Sequence, residues 1–134
     1  MNFKKVSIVL GILVISLFTF SDNLLAQCNA KFTASTVNGK QNDEVKVNIT
    51  VDNFTDLSVF QWTMRWDPAV LEFKSIGELD LPDLTLASFN TTKSAQGFFT
   101  TSWFFQQAAT KPNGSKIFSI CWCFYTVFSI IAIT

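Results

Sequence analysis

Glu78, Asp80 and Asp83 are the nearest thing in this sequence to an acid–base group. Two carboxyls across a cleft are what glycoside hydrolysis needs, one to protonate the leaving oxygen and one to attack or to activate water. These three fall instead between Gly77 and Asn90. That stretch scatters Leu79, Leu81, Leu84 and Leu86 around Pro82 and reads as an irregular loop with a short extended piece. The chain has no histidine. The commonest general base, the Ser–His and Cys–His nucleophile pairs and imidazole ligation are therefore all missing. No catalytic residue and no cofactor are expected, and the chain does not read as an enzyme.

Metal ligation finds no better footing. Asp43, Glu44, Asp52 and Asp56 are acidic residues near turns, but no Asp-x-Asp-x-Asp-Gly loop surrounds them. The cysteines are Cys28, Cys121 and Cys123. Cys121 and Cys123 are two residues apart, so on a strand they share a face and make a poor disulfide pair. No metal site is expected. Lys and Arg balance Asp and Glu at ten each, so no basic surface is expected to draw nucleic acid.

Aromatic side chains stack on sugar rings, and Phe60, Trp62, Trp66 and Trp103 invite that reading. Alternation argues otherwise. Phe60, Trp62, Met64 and Trp66 share one face of a strand, and a sandwich buries its apolar face. Gln61, Thr63 and Arg65 take the opposite face. These three are the candidate partner-binding residues, set against the plain role of a solvated strand face.

The elements that must position them are strands. Val45, Val47, Ile49 and Val51 alternate with Lys46, Asn48 and Thr50, the pattern of a half-buried antiparallel strand. Asn38–Asp43 precedes it as a turn and Asp52–Asp56 follows it as a loop. The next strand runs from Ser58 to Trp66 and stops at Asp67-Pro68, since proline cannot donate to a ladder. Val70 to Phe73 begins another. Ser94-Ala95-Gln96-Gly97 is a turn, and Phe98 to Phe105 is a strand with Phe99, Thr101, Trp103 and Phe105 on one face. Lys111–Ser115 turns into a strand from Lys116 to about Trp122. No stretch carries a capped helical stripe, and short strands between turn signals point to a sandwich.

The two ends stand apart. Lys4 and Lys5, an apolar run from Val6 to Phe20 and small residues before Cys28 have the layout of a signal peptide over residues 1–27. The run is short for a permanent membrane anchor. Leu25-Ala26-Gln27-Cys28 sits where a lipid-attachment motif would, although Gln27 fits it badly. From Ile117 to Thr134 there is no charge, glycine or proline. Its length approaches that of a spanning helix, yet basic flanks are missing and β-branched and aromatic residues abound. Residues 123–134 read as an atypical apolar tail rather than the native end of a domain.

Asp43-Glu44-Val45-Lys46-Val47-Asn48-Ile49-Thr50-Val51 resembles the second-strand signature of cohesin domains. Phe60 to Phe73, an aromatic strand running into Asp67-Pro68 and then Leu71 and Phe73, resembles that family's most recognisable stretch. Leu81-Pro82-Asp83-Leu84, Phe89-Asn90, Gly97 to Trp103 and Asn113 to Ile120 follow in the family's order. The resemblance spans about Phe32 to Trp122, with the domain at 30–122, and is nearest to cohesin-like modules in secreted surface proteins of Bacteroidetes-type bacteria. It implies an all-β jelly-roll sandwich of about nine strands with no catalytic residue. The implied partner is a dockerin-type protein module, or polysaccharide through the same fold, at the cell surface or outside the cell. A role as a structural spacer is the third option. The implied bacterial origin discounts glycosylation at Asn48, Asn53, Asn90 and Asn113. After Ile120 the family continues differently, so the sandwich is expected to be incomplete.

Overall fold

A computed structural model describes residues 29–125 and the strand 128–130. The expected signal peptide and Cys28 lie outside them. The described residues form strands and short 3-10 turns. The strands are β1 (Lys31–Ala34), β2 (Val37–Gly39), β3 (Glu44–Asp52), β4 (Phe54–Arg65), β5 (Leu71–Gly77), β6 (Phe89–Asn90), β7 (Phe98–Lys111), β8 (Ser115–Phe124) and β9 (Phe128–Ile130). One sheet has the order β1-β3-β8-β5 and the other β4-β7-β6, while β2 and β9 form a short ribbon. All pairings are antiparallel. The two sheets face each other as a β-sandwich, the expected fold.

Alternation decides what each sheet buries. Val47, Ile49 and Val51 of β3 are buried, as are Met64 of β4 and Phe99, Thr101 and Trp103 of β7. Phe60, Trp62 and Trp66 pack against them from partly buried positions. The tryptophans thus stand in the core, and the row of exposed rings that sugar stacking would require is not built from them. Ring contacts join the sheets directly. Trp62 of β4 stacks on Phe118 of β8 at 6.0 Å between centroids and 19° between planes. Trp66, just beyond β4, meets Trp122 of β8 edge-on at 4.6 Å.

The structure revises three boundaries. The loop expected at Asp52–Asp56 shrinks to a bend at Asn53, with Asp52 ending β3 and Phe54 opening β4. Asn53 turns the chain with a φ of 54°, and Phe54 then enters the core fully buried. Register shifts between Phe54, Leu57 and Val59 break the period-two signal there. Strand β7 runs on past Phe105 to Lys111.

The largest change concerns the C-terminal segment. Strand β8 continues through Cys123 and Phe124, so these residues belong to the sheet and not to an apolar tail. Ile117 to Phe124 form no part of a helix, and among the described residues no helix is long and apolar enough to cross a membrane. The missing charge has a local cause. Strand β8 lies between β3 and β5, and Ile117, Phe118, Ile120, Trp122 and Phe124 are fully buried. Ile117 and Phe118 are consecutive yet both buried because the register slips by one there: Thr50 pairs with Lys116 but Ile49 with Phe118. An extra residue in one strand is a β-bulge, and it admits two neighbours to the same side. Beyond Tyr125 the chain supplies β9, which pairs with β2 through Val37 and Ile130.

Candidate partner-binding face

The three candidate residues lie together on the outer face of β4. Gln61, Thr63 and Arg65 are exposed, between inward Trp62 and Met64. Pairing with β7 sets each against a neighbour: Gln61 opposite Ser102, Thr63 opposite Thr100, Arg65 opposite Phe98. Asn90 of β6 extends the middle row, being paired with Thr100. The Arg65 guanidinium lies over the Phe98 ring at 5.0 Å from its centroid, a cation–π contact that steadies a long side chain on an open surface.

One further row escaped the sequence reading. Val59 of β4 and Phe104 of β7 are directly opposed and are 60% and 67% exposed. Phe104 falls between Trp103 and Phe105, so alternation alone puts it outside. That it meets Val59 depends on register, which only the structure supplies. The face therefore runs from an apolar end at Val59 and Phe104, through hydroxyls and amides, to a cation at Arg65. Its β4 edge is adjoined by a cavity of about 370 Å³ lined by Phe32, Ala34, Ile49, Phe60, Trp62 and Met64 among others.

Two of the three carboxylates suspected of acid–base chemistry, Glu78 and Asp80, are held in ion pairs. Glu78 is gripped by Lys46 and Lys116, each at 2.5 Å. Hydrogen bonds from Lys116 and then Lys46 hold its carboxyl down to about 2, so it stays ionised and is a poor proton donor. Asp80 pairs with Lys111 at 3.0 Å. Two of the acidic residues considered for calcium stabilise turns instead. Asp43 accepts from the Lys40 N–H at 2.8 Å, and Asp52 accepts from the Gly114 N–H at 3.0 Å. Among the described residues no three cysteine or carboxylate groups gather closely enough to hold a metal ion.

The cohesin-domain family model matches residues 30–120, and the chain belongs to the cohesin family. Solved structures agree on the fold. The chain is similar to the cohesin in a type I cohesin–dockerin complex from Clostridium thermocellum, with a TM-score of 0.59, 12% identity and 71% of each chain covered. It is similar to a chain in the complex of a CaDoc0917 variant with CaCohA2, with a TM-score of 0.56, 18% identity and 72% of each chain covered. A third similar structure is the seventh ScaB type I cohesin from Pseudobacteroides cellulosolvens, with a TM-score of 0.59 and 21% identity over 74% of this chain and 68% of that one. A search of curated proteins found no match at a significant level.

Proposed function

We propose that this chain is a non-catalytic binding module that holds a dockerin-type protein module on the outer face of β4, β7 and β6. Gln61, Thr63 and Arg65 supply the polar contacts, and Phe104 with Val59 supplies an apolar anchor. The observation that carries the reading is the register that lines these residues up on one exposed sheet face in a member of the cohesin family. Two of the similar structures are cohesin–dockerin complexes, which supports the choice of partner. An exposed face with aromatic and Arg residues among small polar ones matches the make-up of protein interfaces. The setting that fits is outside the cell or at its surface, in the assembly of polysaccharide-degrading enzymes, with export by the N-terminal signal.

The test is calorimetric titration of the mature chain with a panel of type I dockerin modules, alongside affinity electrophoresis in soluble polysaccharides. Saturable binding of a dockerin, lost in the double substitution Arg65→Ala and Phe104→Ala, is the expected result. Retardation by a polysaccharide with no dockerin bound would overturn it in favour of sugar binding.

A further inference from the structure

Opposite the proposed partner face, the outer surface of the β1-β3-β8-β5 sheet carries two thiols that the binding function does not use. Cys121 and Cys123 are free and half-buried. Trp122 between them is fully buried, so the two thiols point the other way, to the outside. Both stand on a strand with neighbours on either side. Cys121 is opposite Lys46 of β3 and Ser75 of β5, and Cys123 is opposite Glu44 of β3 and Glu72 of β5.

Their spacing decides what they can do. Alternate residues on a strand are about 6.6 Å apart, whereas a disulfide wants its β-carbons about 3.8 Å apart. Closing that gap would require the central strand to buckle, and ladders to β3 and β5 resist it. The thiols are thus kept from each other but aligned. Side chains on strands lean along the strand axis, so one sulfur can lean forward and the other back until the gap shortens. Two thiolate–metal bonds of about 2.3 Å each, set in a line, span about 4.6 Å. A lean of about 1 Å by each side chain takes the strand repeat of about 6.6 Å down to that separation.

We propose that Cys121 and Cys123 form a two-thiolate site for a soft monovalent ion of the copper(I) or silver(I) class. The choice of ion follows from ligand number. Among the described residues no third cysteine or carboxylate is placed to complete a larger set. Zinc and calcium, which take four or more ligands, therefore find no home here. Soft thiolate ligands select copper(I), and such ions accept two sulfurs in a line. Glu44 stands opposite Cys123, Glu72 on its other side is paired with Lys74 at 2.9 Å, and Lys46 opposite Cys121 is paired with Glu78. The neighbouring charges thus nearly balance, and the two thiolates themselves supply the negative charge that draws the cation. On binding, each thiol releases its proton to solvent and no electron is transferred, so the ion keeps its oxidation state.

The experiment uses the chain carrying Cys28→Ser, which removes the third thiol, and silver(I) as an air-stable probe. Native mass spectrometry should find one ion per chain. Cys121→Ser and Cys123→Ser should each weaken binding at least 100-fold while leaving the circular dichroism spectrum unchanged. With both cysteines present, one equivalent of silver should protect both thiols from iodoacetamide together. Two ions per chain, or single variants that bind as tightly as the parent, would show independent thiols and overturn the proposal. Protection of only one thiol would overturn it as well.

Discussion

The Trp66 backbone N–H donates to the Gly97 carbonyl at 2.9 Å, and the Trp66 carbonyl lies where a side chain on Gly97 would begin. A β-carbon built on Gly97 comes within 2.4 Å of that oxygen, and the residue has a φ of 79°. The end of β4 is thereby fastened to the start of β7 by a contact only glycine permits. Gly97→Ala meets both a clash with backbone and a disfavoured conformation, worth on the order of 1–3 kcal/mol for the latter alone. Urea unfolding should report a loss of at least about 2 kcal/mol by this sum of effects. An unchanged midpoint would mean that β7 enters the sheet by another path.

Trp103 should be among the costliest single truncations. It is 1% exposed, stacks on Phe60 at 5.2 Å, and its indole N–H donates to the Pro82 carbonyl at 2.7 Å. Trp103→Ala should lose roughly 3–5 kcal/mol. Trp103→Phe keeps most of the volume and should lose less, about 0.5–1.5 kcal/mol for the hydrogen bond to the Pro82 carbonyl. Thermal unfolding of both variants separates the packing effect from the hydrogen bond that ties the Leu81–Leu84 loop to the sheet.

Residues on the proposed partner face should behave in the opposite manner. Gln61→Ala and Thr63→Ala should each change stability by no more than about 0.5 kcal/mol. Phe104→Ala removes an exposed ring, and its stability should change as little. Its dockerin affinity should fall by about 2 kcal/mol, as expected for an aromatic anchor. Measuring unfolding and binding on the same protein samples checks both halves. A Phe104→Ala variant that binds as well as the parent would remove that ring from the interface.

Glu78 gives the chain an acid-sensitive surface cluster. Its carboxyl lies at about 2, below the ordinary 4.5, chiefly through hydrogen bonds from Lys116 and Lys46. A group whose pKa falls on folding contributes stability that is fully present above about 4.5 and is lost as the pH drops toward 2. Carboxyl NMR should place the Glu78 midpoint near the lower value. Lys116→Met and Lys46→Met should each move it upward. Added salt should shift it in the same direction, because the three side chains are open to solvent.

Legibility in the sequence followed the strength of alternation. Strand β3 was readable because Val47, Ile49 and Val51 go in while Lys46 stays out. The outward set Gln61, Thr63 and Arg65 followed from inward Trp62 and Met64. Residues near bulges were not readable, since one extra residue breaks the period on which the reading rests. Phe54 therefore looked like loop, with Asn53 and Asp56 around it. The segment Cys121–Phe124 looked foreign because it has no charge, yet a strand flanked on both sides and packed on the core has no need of one. The Val59–Phe104 row needed the register between two strands far apart in the chain, which alternation within either strand does not encode.

The edge-on meeting of Trp66 and Trp122 gives the molecule an internal optical gauge. One indole follows β4 and the other lies on β8, so their 4.6 Å contact spans the gap between the sheets. Aromatic circular dichroism in the near ultraviolet depends on such fixed surroundings and vanishes when packing loosens, even if the strands persist. Acid or mild denaturant that slides the sheets apart should thus erase this band while the far-ultraviolet signal remains. In Trp66→Phe the band should be weaker from the outset, the remainder coming from the packed rings of Trp62 and Trp103. A partner clasped on the outer face of β4 should leave it intact, so the same sample can report the state of its interior while its surface is occupied.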